Sequence, residues 1–114
     1  MVLRRFRFGA GSREIFREAR HRNAMVATWH FSNLGVTVGE LIEADCSGGG
    51  VFLLKVVGCD DYFLDQVPPE AAARLGFDSP AAFCERVHRQ FPSCREDEVV
   101  SVIQYRVLAQ RGGG

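Results

Sequence analysis

Val2, Phe6 and Phe8 alternate with Arg5 and Arg7 at the start of the chain, the period of a half-buried strand with an arginine face. Gly9-Ala10-Gly11 interrupts it, and Ile15, Phe16 and Ala19 then recur at helical spacing. This predicts an amphipathic helix over 13–22, capped by Ser12, with its arginines mostly outward. Residues 25–31, rich in β-branched and aromatic side chains, read as the next strand. After a loop at 32–35, Val38-Gly39-Glu40 opens a strand through Asp45, which ends at Cys46-Ser47-Gly48-Gly49-Gly50. The apolar run 51–57 follows, so the two strands form a hairpin across the glycines.

Residues 60–66 read as a short extended piece, and Pro68-Pro69 starts a brief helix that Gly76 ends. Ser79 then caps a second helix with Pro80 in its first position, Phe83, Val87 and finally Phe91 inward, and Pro92 as its stop. The last strand covers 98–108, with Val100, Val102, Gln104 and Arg106 on one face. Val99, Ser101, Ile103, Tyr105 and Val107 take the other face, and residues 110–114 are expected to form a disordered tail. Strands joined by antiparallel connections, with the helices segregated, argue α+β, and so many short strands in 114 residues argue a curled sheet or barrel.

Composition narrows this picture. With 46% hydrophobic and 25% charged residues the chain is expected to fold as a single domain over 1–109. It has no apolar run long enough to span a bilayer and no signal-peptide stretch, so a cytoplasmic location without a membrane partner is expected. Cys46, Cys59, Cys84 and Cys94 are widely spaced, and neither they nor His21, His30 and His88 follow a zinc-site spacing. Reduced core thiols and surface imidazoles are expected, with no metal and no cofactor.

Net charge is zero, yet seven arginines precede residue 23, while residues 40–70 are acidic. A basic face for phosphate or RNA is one reading; the favoured one is a solvated helix and edge strand pairing with acidic loops. The three glycines at 48–50 do not make a phosphate cradle, because they lead into a strand and lack the lysine and hydroxyl of a P-loop.

The strand carrying Ala27-Thr28-Trp29-His30, the Val38-Gly39-Glu40-Leu41 entry, the Gly76-Phe77-Asp78-Ser79-Pro80 break and the closing Val99-Val100-Ser101-Val102-Ile103-Gln104-Tyr105 strand share an order and spacing. In these the chain, from about Phe6 to Leu108, resembles the ASCH family of the PUA-like superfamily. The resemblance implies a small β-barrel flanked by helices. The family's motif G-x-K-x-x-T-x-R, with its threonine on Thr28, falls on Asn23, Met25 and His30 at the glycine, lysine and arginine positions. One branch of the family hydrolyses the acetyl amide of modified cytidine nucleosides with that lysine and threonine and a glutamate on the later short helix. In this sequence the lysine falls on Met25 and the glutamate on Leu75.

A threonine hydroxyl needs a base to take its proton and a donor near the developing oxyanion, and neither Met25 nor Leu75 is ionisable. The resemblance therefore implies first a binding domain for RNA or a modified nucleotide, with Arg20, Arg22, Thr28, Trp29 and His30 as the ligand-binding set. Arginine suits phosphate, and Trp29 suits an unstacked base, if it is not core. The second reading is an enzyme, either an amidohydrolase of acetylated cytidine-type nucleosides or a nuclease, with Thr28, His30 as base and Arg22 as electrostatic donor. The third is a protein-interaction module using a sheet edge or an apolar cleft.

Overall fold

A computed structural model describes residues 3–111. In chain order the elements are β1 (Arg4–Phe8), α1 (Ser12–Arg22), β2 (Met25–His30), β3 (Leu41–Cys46) and β4 (Val51–Phe63), then a single 3-10 turn (Leu64–Gln66), α2 (Pro69–Arg74), α3 (Pro80–Gln90) and β5 (Val99–Arg111). Gly11 takes φ 84°, a left-handed conformation that glycine adopts without strain, so it rather than Ser12 is the residue before α1. Ser12 becomes the first helical residue, its amide donating to the Gly9 carbonyl at 3.2 Å.

The second capping expectation holds. Ser79 is extended, its hydroxyl accepts from the Ala82 amide at 3.1 Å, and Pro80 opens α3, where a missing N–H costs nothing. The expected hairpin also forms, with Asp45 opposite Val51 and left-handed Gly48, Gly49 and Gly50 carrying the reversal. The apolar run after it continues as one strand to Phe63, rather than stopping at Gly58 and resuming as a separate piece. Gly58 does not break it: a Cβ there would stand 3.4 Å from Gln104 Nε2, so glycine lets a neighbouring side chain lie close to the backbone. The last strand likewise runs on through Gln110 and Arg111, where a tail was expected, and the rest of that tail, 112–114, lies outside the described residues.

The five strands form one mixed sheet in the order β1-β3-β4-β5-β2, with β1 parallel to β3 and β3 antiparallel to β4. With three helices this is α+β, but the sheet is not closed, which corrects the expected barrel: β1 and β2 are its two ends. β1 is poorly made to accept another strand, because it is five residues long and its Arg4, Arg5 and Arg7 side chains are 46%, 51% and 92% exposed.

The chain divides into two compact units, one built from residues up to 26, 36–58 and from 104 on, the other from 27–35 and 59–103; three of the four divisions fall within β2, β4 and β5, and the fourth in the loop before β3. In the first unit Phe8 meets Phe16 edge-on at 5.2 Å and Tyr105 at 6.1 Å, and Phe16 lies 5.6 Å from Phe52. Its acidic β3 neutralises β1. Arg4 makes two hydrogen bonds of 2.8 Å to Glu40, Arg5 reaches Glu43 at 3.3 Å, Arg7 reaches Asp45 at 4.0 Å, and Arg111 also pairs with Glu43. The segregated charge along the sequence is thus matched for β1 by Glu43 and Asp45 of the neighbouring strand and by Glu40 just before it, where the favoured reading expected acidic loops. In the second unit Leu64, Val67, Ala71, Ala72, Phe83, Val87 and Val100 form the core, with α3 presenting the fully buried Phe83 and Val87.

Candidate functional site: an aromatic cleft at the end of β2

Strand alternation decides what β2 offers. Thr28 and His30 share a side by the period of two, and Thr28 Oγ1 lies 2.9 Å from His30 Nε2. Burial pushes the His30 imidazole below its ordinary value, so it is neutral at pH 7. A neutral ring either accepts the hydroxyl proton at Nε2 or donates to the hydroxyl oxygen, according to its tautomer. The pair is half-buried, and in the accepting tautomer it has the donor–base relation that a hydroxyl nucleophile requires.

Trp29 turns the other way, meeting the core ring of Phe83 edge-on at 5.5 Å. It is therefore partly core, as well as a wall of something open. β2 stops at His30, and the chain curls through Ser32-Asn33-Leu34-Gly35, where the Asn33 side chain accepts from the Gly35 amide at 2.8 Å and Ser32 accepts from the Leu34 amide at 3.3 Å. The strand end, this curl and the C-terminus of α3 surround a cleft of about 480 Å³ lined by Trp29, His30, Phe31, Ser32, Leu34, Gln90 and Phe91. Because the strand ends there, side chains from both of its faces reach one cleft.

Three rings in its wall stand nearly perpendicular to one another. Trp29 and Phe31 are 5.2 Å apart at 90°, Trp29 and Phe91 6.1 Å at 89°, and Phe31 and Phe91 5.0 Å at 83°. Phe31 and Phe91 are 41% and 39% exposed, so the cleft's wall presents aromatic surface to solvent. Phe31, Ser32 and Gln90 were not among the residues singled out from the sequence, and Phe91, expected to face inward at the end of the helix, instead follows α3 as its C-cap and stays exposed. The spacing Trp29-x-Phe31 and the aromatic before Pro92 were the available signals, but only the fold brings them together.

Of the other predicted residues, Arg20 and Arg22 lie exposed in the last turn of α1, in the first unit, where cations complement the helix dipole. Arg22 Nε is 2.7 Å from Glu18 Oε1, one helical turn away. Met25 is 55% exposed at the start of β2, and Leu75 packs partly buried against the second unit's core. Burial pushes the thiols of Cys46, Cys59, Cys84 and Cys94 upward, so all four are protonated near neutrality. Among the described residues no three His, Cys, Asp or Glu side chains gather as a metal would require, and no helix is long and apolar enough to cross a membrane.

No family model matches the sequence, and no curated protein matches it. A solved structure does: the ASCH domain from Lactobacillus crispatus JV V101, 20% identical, superposes with a TM-score of 0.62 over 92% of this chain and 79% of that one. At that identity the likeness speaks for the fold, and the order of elements expected from the sequence agrees with it. The chain has the fold of an ASCH domain.

Proposed function

We propose that the protein is an ASCH-like binding domain for RNA or a modified nucleotide, with an unstacked base held in the cleft at the end of β2. The observation that carries this is the cleft's wall: Trp29, Phe31 and Phe91 supply aromatic surface, and His30, Ser32 and Gln90 supply the few polar groups that fix a ring's orientation. Base–aromatic stacking contributes about 1–3 kcal/mol per base, enough for a weak but specific grip. Thr28 belongs to the site through His30, whose ring it holds. Arg20 and Arg22, the latter paired with Glu18, belong to the first unit and are taken by themselves as a candidate phosphate contact. Trp29 is the only tryptophan, so its emission reports on this cleft alone. Titration with nucleosides and a short single-stranded RNA at low salt is expected to quench it. Silence across the whole set removes the reading.

The 2.9 Å contact of Thr28 with His30 favours a second reading, hydrolysis of an acetylated cytidine-type nucleoside or of a phosphodiester. Turnover of acetylated cytidine that vanishes in Thr28→Ala would establish it over simple binding. Capture of a protein rather than a nucleotide would instead favour an interaction module.

A further inference from the structure

The charge around the cleft runs opposite to what a phosphate needs. Among the described residues no lysine or arginine lines it. A smaller hollow of about 220 Å³ shares Phe31 and Phe91 with the cleft, and Glu98 is the charged residue among the described ones that line it. The loop leading to Glu98 reads Arg95-Glu96-Asp97-Glu98; Arg95 makes bonds of 2.9 and 2.8 Å to Asp97 and also feels the Glu98 carboxylate, so one cation faces three carboxylates there. Negative potential therefore lies on the side where the rings of Phe31 and Phe91 are shared. The imidazole of His30 carries no opposing charge, because burial keeps it neutral.

Three rings at near right angles, with a carboxylate beside them, form the arrangement that attracts a desolvated cation, since the face of each ring is the negative part of its quadrupole. Resting on the nucleotide reading of this cleft, we propose that the base it prefers is a cationic one, methylated on a ring nitrogen. Such a base keeps the flat surface for stacking and adds a positive charge that the rings and Glu98 favour. A neutral base gains only the stacking. The phosphate of the same nucleotide finds no cationic partner among the cleft's described lining residues.

The test titrates Trp29 fluorescence with 1-methyladenosine and 3-methylcytidine, both cationic at neutral pH, against adenosine, cytidine and the neutral 5-methylcytidine. The cationic nucleosides are expected to bind about tenfold tighter than their parents, and Glu98→Gln is expected to cut that preference while leaving the parents' affinity unchanged. Glu98 is exposed and its hydrogen bonds with Arg95 and Leu64 are made by its backbone, so the variant keeps the local structure. Equal affinity for cationic and parent nucleosides overturns the preference and leaves base binding standing. A gain for 5-methylcytidine as large as for 3-methylcytidine overturns it too, because methyl contact would then be the cause. A preference that survives in Glu98→Gln removes Glu98 as the counter-charge. No response to any nucleoside removes this inference together with the nucleotide reading on which it rests.

Discussion

Burial acts on His30 through its charge, and that fixes the sign of a pH effect. Its folded value lies below the ordinary 6.5, so the unfolded chain binds the proton first. Above about pH 6.5 both states are neutral and His30 adds no pH dependence. As the pH falls from there through the folded value, proton uptake favours the unfolded chain and stability is lost. Urea unfolding at about pH 7.5 and about pH 5 is therefore expected to show a smaller loss for His30→Gln than for the wild type. An equal loss would mean that the acid sensitivity lies elsewhere. Trp29 illustrates a different limit at this scale. A tryptophan in a strand reads equally as core or as cleft wall, and Trp29 both packs against the core ring of Phe83 and lines the cleft.

Among the elements, α3 is the most legible because its signals are local. Ser79 followed by Pro80 sets the start, and the spacing of Phe83 and Val87 sets the buried stripe. Ser79→Ala is expected to lower the unfolding free energy by about 1 kcal/mol, through loss of the 3.1 Å bond from the Ala82 amide. Phe83→Ala is expected to cost about 3–5 kcal/mol, since its ring is fully buried under Trp29 and Phe77. Denaturant titration of both variants checks the pair, and a cap loss as large as the core loss would contradict this account. β4 is less legible for the opposite reason. Glycine at 58 has the sequence signature of a break, and only the Gln104 side chain over it shows why the strand continues.

For the whole molecule, zero net charge predicts little general attraction for polyanions, so any RNA affinity must be local. If phosphate is held by α1, Arg20→Ala and Arg22→Ala are each expected to reduce the slope of log affinity against log salt by about one. Filter binding over a salt series checks this, and an unchanged slope removes those arginines from the interface. The pairing of Arg4, Arg5 and Arg7 with Glu40, Glu43 and Asp45 makes β1 a poor alternative. Periodicity and punctuation by themselves determined the kinds of element, their order and most of the buried faces, because those depend on neighbours a few residues apart. The tertiary structure alone decided that the sheet stays open, that β1 runs parallel to β3, and that Phe31 and Phe91, sixty positions apart, stand 5.0 Å from each other. Each of these is a long-range pairing, settled by which distant surfaces bury best together, and no local pattern in the chain encodes that choice.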